Sequence, residues 1–127
     1  MKINEPSVVA EVRALFERYE AALMANDIAA LDGFFWRSQF ALRFGQGENL
    51  YGYDAIAAFR VRRLGGSPPR TLFNTVITTF GDAYAVTNTE FRRDNVARSG
   101  RQSQTWVRLA EGWRIVSAHV SMLGDAS

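Results

Sequence analysis

The side chains in this sequence that could move a proton or hold an anion are few in kind. There is no cysteine, which removes disulfides, thiolate nucleophiles and sulfur-ligated zinc together. The one lysine, Lys2, stands at the chain start, a poor place for a buried Schiff-base amine. The one histidine, His119, cannot build a multi-histidine metal site, and no short-spaced carboxylate cluster replaces one. Gly45-Gln46-Gly47 lacks the full spacing of a dinucleotide loop and reads as a turn. Chemistry therefore falls to Tyr, Arg, Asp, Glu, Ser, Thr or His119, with no metal and no cofactor expected.

Within that set, Tyr19 lies on the apolar stripe of a helical pattern, so its ring should face inward while its hydroxyl seeks a partner. It reads either as a core tyrosine with a satisfied hydroxyl or as an acid and base. A phenol with an ordinary pKa of ~10 donates at neutral pH, and a nearby guanidinium favours its ionised form. Arg43 falls on the strand face opposite Phe40, Leu42 and Phe44. It is either a solvated surface arginine or a two-pronged holder of a carboxylate. His119 shares a face with Trp113, Ile115, Ser117 and Ser121, and either lines a pocket or makes a structural hydrogen bond. Gln102, Gln104 and Trp106 share one strand face, and Asn88, Glu90 and Arg92 share another. Each set could bond a small amide or pair subunits. Glu90 beside Arg92 reads as an ordinary sheet pair more readily than as a base.

The elements that must position these groups are legible from periodicity. Over residues 8–25, Val8, Val12, Leu15, Phe16, Tyr19 and Leu23 recur at helical spacing. Asn4 or Ser7 can cap that helix with Pro6 in its first turn, and Asn26-Asp27 ends it and caps a second through Ile28, Leu31, Phe34 and Phe35. Residues 39–44 alternate as a strand, and a short extended piece ends at Tyr51-Gly52. Tyr53-Asp54 opens a third helix whose apolar side is Ile56, Ala57 and Phe59 and whose end is arginine-rich. After the loop at residues 65–69, strands rich in Thr, Val, Ile and aromatics are expected at 71–80, 83–92, 101–109 and 113–121. The order predicts an α+β fold, N-terminal helices packed against a bent antiparallel sheet, in one domain spanning residues 1–127.

The 127 residues suffice for one core, and 47% apolar with 22% charged residues is a globular composition. No apolar run reaches the roughly 20 residues of a membrane span, and the first residues lack a signal-peptide core, so a cytoplasmic protein is expected. The basic residues are 14 arginines and one lysine, yet the net charge is only +2. Two basic clusters, Arg60-Val61-Arg62-Arg63 with Arg70 and Arg92-Arg93 with Arg98 and Arg101, read as a solvated helix end and a hairpin tip, so neither nucleic acid nor membrane is an expected partner.

The segment Leu50-Tyr51-Gly52-Tyr53-Asp54-Ala55-Ile56, the hairpin Glu111-Gly112-Trp113-Arg114-Ile115-Val116 and the ending Ser117-Ala118-His119-Val120-Ser121 resemble the nuclear-transport-factor-2-like superfamily. That resemblance implies a cone with a pocket between helices and a strongly curved sheet. A narrower likeness runs through Arg18-Tyr19-Glu20-Ala21-Ala22-Leu23, Leu42-Arg43-Phe44-Gly45, Glu48-Asn49-Leu50-Tyr51-Gly52-Tyr53, Thr89-Glu90-Phe91-Arg92-Arg93 and Gly100-Arg101-Gln102-Ser103-Gln104-Thr105-Trp106. Those pieces are similar to a bacterial nitrogen-salvage family, also known as DUF3225. Its members include the oxalurate-catabolism accessory protein and the decarboxylating amidohydrolase that converts 1,3-dicarboxyurea to allophanate in cyanuric acid breakdown. The resemblance implies catalytic roles for Tyr19 and Arg43; Tyr51 and, from the strand faces, Asn88, Gln104 and His119 are the substrate-binding candidates. It also implies a small carboxylated urea or amide as substrate, a homodimer or homotetramer, and a functional link to an amidase. The alternative it leaves open is a noncatalytic pocket or accessory protein of an oxalurate or amidase pathway.

Overall fold

The structure, a computed structural model, describes residues 1–124; the last three residues of the expected 1–127 domain lie outside the described residues. Nine elements follow one another: α1 (Pro6–Met24), α2 (Ile28–Phe34), β1 (Leu42–Phe44), β2 (Asn49–Tyr51), α3 (Tyr53–Arg62), β3 (Arg70–Phe80), β4 (Tyr84–Arg93), β5 (Gly100–Leu109) and β6 (Gly112–Met122). Helices from the first half pack on a six-stranded curved sheet, the α+β arrangement the sequence predicts.

The buried stripe of α1 is Val8, Val12, Phe16, Tyr19, Ala22 and Leu23, spaced to keep one face on the core. Its start differs from expectation. Neither Asn4 nor Ser7 caps it; Glu5 occupies the cap position without a side-chain bond. Asn4, at φ 57°, instead accepts from the Thr79 backbone N–H through Oδ1 at 2.9 Å. The chain start is thereby tied to β3. Asp27 does cap α2, its Oδ1 accepting from the Ala30 N–H at 3.1 Å.

Strand order is β2-β1-β6-β5-β4-β3. Every seam is antiparallel except β1 with β6, which run parallel. A parallel neighbour needs a crossover and not a hairpin, and here the crossover is α3 together with the β3–β5 meander. β1 is also shorter than expected, because the Ser38 hydroxyl accepts from the Phe40 N–H at 3.0 Å and holds the chain in a turn. Phe40 leaves the ladder and stands 70% exposed.

Two irregularities bend the sheet. One extra residue enters β3 between Phe73 and Val76, with Asn74 at φ 52°, and another enters β6 where the partners step from Trp106–Ile115 to Thr105–Ser117. Such bulges increase local twist and reverse which residues point inward. In β6 the buried positions accordingly run Trp113, Ile115 and then Ala118. Val12, Leu31, Phe35, Ala41, Trp106 and Ile115 are fully buried and join the two layers. Among the described residues no helix is long and apolar enough to cross a membrane.

Candidate functional site

Tyr19 leaves α1 toward the sheet and is 4% exposed. Its ring meets Phe34 edge-on at 5.6 Å and Phe35 at 6.4 Å, and its hydroxyl makes no hydrogen bond among the described residues. A core tyrosine ordinarily finds a partner for that hydroxyl. Arg43 reaches the same interior from β1. The alternation of that strand is as the sequence suggests, but the inner face is the one carrying Ala41 and Arg43, while Leu42 and Phe44 look outward. Arg43 is 8% exposed; its Nη1 donates to Glu48 Oε1 at 2.8 Å and its guanidinium lies 5.2 Å from the Phe59 ring centre. A Cβ on Gly45 would collide with the Glu48 carboxylate, so glycine leaves room for this ion pair across the β1–β2 hairpin.

Two further guanidiniums enter, Arg60 from α3 and Arg63 from the residue that caps its C-terminus, and this corrects the reading of Arg60 and Arg63 as a solvated helix end. Arg60 is one turn beyond Ile56 on the inward side and 3% exposed. It stacks on Phe35 at 4.9 Å and approaches Asp32 Oδ1 at 3.2 Å, without a directed hydrogen bond. Arg63 stacks on Phe59 at 5.2 Å, on the ring that Arg43 also contacts. Burial first, then the charges of Arg43 and Arg60, hold its guanidinium below the ordinary arginine range, while Tyr19 and Glu48 act in the opposite direction. Arg63 thus feels Tyr19, Arg43, Arg60 and Glu48 together.

The sheet side of this cluster is a row of directly paired residues. Arg43 on β1 opposes Ala118 on β6, Ala118 opposes Gln104 on β5, and Gln104 opposes Thr87 on β4. All four are buried. Strands lie about 4.8 Å apart, so Arg43 and Gln104 flank a floor occupied only by the Ala118 methyl. Gln104 is held through its oxygen, which accepts from Thr87 Oγ1 at 3.1 Å, while that hydroxyl accepts from Trp106 Nε1 at 3.1 Å. The relay leaves the Gln104 amide N–H groups without a partner among the described residues. Ala118→Leu is expected to weaken carboxylate binding at least about tenfold, with a stability loss within the ~1–3 kcal/mol usual for overpacking. Malonate calorimetry beside urea denaturation measures both.

The remaining candidates fall elsewhere, and here the sequence reading is corrected. Tyr51 is 66% exposed and packs edge-on against Phe44, on the outer face. His119 is exposed there too, its ring 5.9 Å from Phe44, because the β6 bulge turns Ala118 inward in its place. Asn88 is exposed and bonded to Ser103, since its neighbours Thr87 and Thr89 take the inner positions of β4. Tyr19, Arg43 and Gln104 therefore belong to one interior, whereas Tyr51, Asn88 and His119 do not. Two open surface depressions, of about 560 Å³ beside Thr71 and Arg93 and about 600 Å³ beside Arg37 and Tyr53, also lie apart from this interior. The buried guanidiniums and unbonded phenol make the interior the candidate site.

A curved sheet closed by helices, with polar groups converging between the layers, defines a pocket protein of the nuclear-transport-factor-2-like, or cystatin-like, class. The particular family follows from sequence: the AtzH-like family model matches residues 1–126, and the chain belongs to that family. It is similar to a DUF3225 family protein of unknown function from Pectobacterium atrosepticum, with 52% identity over 96% of this chain and 95% of that one and a TM-score of 0.93. A cystatin-like fold protein from Burkholderia xenovorans is 45% identical over 99% of both chains, also at a TM-score of 0.93. An NTF2-like protein of unknown function from Pseudomonas putida, 18% identical over 95% of this chain and 90% of its own, shares the fold at a TM-score of 0.78. No curated protein matches the chain.

Proposed function

We propose that this chain is a cofactor-free decarboxylating amidohydrolase acting on a small N-carboxylated urea, with 1,3-dicarboxyurea going to allophanate. The observation that carries the reading is the burial of Tyr19 and Arg43 in one interior, where Tyr19 and Arg60 share the Phe35 ring and Arg43 and Arg63 share the Phe59 ring, with the Tyr19 hydroxyl lacking any hydrogen-bond partner among the described residues. Arg43 holds a substrate carboxylate through the donors that Glu48 does not occupy. In the reaction the bond between one urea nitrogen and its carboxyl carbon breaks and carbon dioxide leaves. The electron pair stays on nitrogen, which takes the Tyr19 proton, and solvent restores the phenol. Positioning and the positive surroundings supply most of the acceleration. In this reading the Gln104 amide donates to the urea oxygen, where negative charge is shared as the bond breaks.

The exposed aromatics Phe40 and Tyr51, with Phe44 between sheet and solvent, favour pairing of outer faces into a homodimer or homotetramer. The same surface supports the second reading, an accessory protein that binds an amidase of an oxalurate or ureide pathway. Incubating the purified chain alone with 1,3-dicarboxyurea separates the two. Stoichiometric appearance of allophanate and carbon dioxide is expected; turnover seen only with a coexpressed amidase would end the enzyme reading.

A further inference from the structure

Arg60 and Arg63 make no hydrogen bond to any described side chain, although Arg60 is among the most deeply buried polar residues. Arg60 Nη2 and Arg63 Nε are shut away from solvent without an acceptor, and Arg60 Nε has only an undirected ion-pair contact. Leaving a buried charged donor unpaired costs more than an ordinary hydrogen bond gains, so these atoms need an explanation outside the folded chain. Asp32 supplies only part of one: its Oδ1 pairs with Arg60 Nε at 3.2 Å without a directed hydrogen bond, and Arg60 Nη2 and Arg63 Nε stay without a partner. Glu48 is committed to Arg43 and to the Gly47 N–H. Three guanidiniums thus share two carboxylates, and Arg43 and Arg63 are stacked on one phenyl ring. An additional anion between α3 and β1 would relieve that repulsion.

We infer that Arg60 and Arg63 form a second carboxylate clamp, facing the one at Arg43, so that the site selects small dianions with a carboxylate at each end. This rests on the proposed function for its substrate class and adds what that reading leaves unassigned, namely the residues that grip the far end. A fork of guanidinium donors suits a carboxylate in two-pronged contact. A monocarboxylate fills only one clamp and leaves the other repulsion in place. Arg60 and Arg63 are therefore specificity-determining residues, and proton transfer stays with Tyr19.

The test compares malonate with acetate by calorimetry on the full chain, and steady-state kinetics on 1,3-dicarboxyurea. Wild type is expected to bind malonate at least about tenfold more tightly than acetate. Arg63→Gln should lose about 10- to 100-fold in malonate affinity with acetate affinity little changed. Its KM should rise by a similar factor with kcat within about threefold, a split that a merely structural residue would not give. Arg63→Lys keeps the charge without the fork and should recover only part of the affinity. Arg60→Gln should behave alike, and Arg63, being less buried, keeps the test decisive if Arg60→Gln does not fold. Equal affinity of wild type for malonate and acetate, or unchanged malonate binding in Arg63→Gln, overturns the clamp. Malonate selectivity that depends on Arg63 in a protein without turnover would leave the clamp standing and remove the enzyme reading. Turnover with KM unmoved in Arg63→Gln would do the reverse.

Discussion

Tyr19→Phe is expected to lower turnover of 1,3-dicarboxyurea by about 10²- to 10⁴-fold, the usual contribution of a positioned acid or base, while the fold survives. The second half of that expectation follows from the surroundings of the ring. Phe34 and Phe35 pack against it, and phenylalanine keeps both contacts. The hydroxyl makes no bond among the described residues, so its removal strands no partner and should cost less than about 1 kcal/mol. Malonate affinity should stay near the wild-type value because the guanidiniums remain. A structural tyrosine would give the opposite pattern, with lower stability and modestly reduced turnover. Rate measurements beside urea denaturation decide it: turnover within about threefold of wild type would remove Tyr19 from the chemistry.

Tyr19 is legible in the sequence because helical spacing alone places it on the inward stripe of α1 with Val12, Phe16 and Leu23. Alternation also pairs Ala41 with Arg43 correctly, but it cannot say which face of a three-residue strand is the inner one. Phe40, Leu42 and Phe44 suggest the wrong side, since the outer face is itself apolar. His119 is misplaced for a different reason. Strict alternation from Trp113 and Ile115 carries it inward, and one extra residue in β6 reverses the face beyond Ile115. Nothing in the local sequence announces that bulge. Asn88 and Tyr51 fail with it, both being fixed by which face the neighbouring strands bury.

Arg60 and Arg63 carry a signal that composition obscures. They stand one turn beyond Ile56 and Phe59, the very residues that define the apolar side of α3, so helical geometry directs them inward. Reading an arginine-rich helix end as solvated is correct for Arg62, which is exposed. Arg60 in the interior and the half-buried Arg63 are tolerated because each has an aromatic face beneath it, Phe35 for Arg60 and Phe59 for Arg63. Glu48 gives no sign in the sequence, because only closure of the β1–β2 hairpin brings it onto Arg43.

The largest expected stability effect belongs to Arg70, whose guanidinium anchors the helix turn that carries Tyr19. Its Nε and Nη2 donate to the two Glu20 oxygens at 3.0 and 2.7 Å, and Nη2 also donates to Gln102 Oε1 at 2.8 Å. The side chain is 2% exposed and lies 4.6 Å from the Phe91 ring centre. Arg70→Met leaves the Glu20 carboxylate, 17% exposed, with no hydrogen-bond donor among the described residues. Breaking a buried pair from one side costs about 3–5 kcal/mol. Two features place this case at the lower end: water reaches Glu20, and losing Arg70 relieves Arg93, held below the ordinary arginine range first by burial and then by Arg70. Glu20→Met added to Arg70→Met removes the stranded charge and should recover most of the loss, as apolar replacements of both partners often do. Urea denaturation of the single and double variants measures the difference. A loss under about 1 kcal/mol for Arg70→Met would show that the first turn after Tyr19 is fixed by apolar packing alone. The expected larger loss would mean that Tyr19 keeps its place in the interior it shares with Arg43 through an ion pair that itself takes no part in the chemistry.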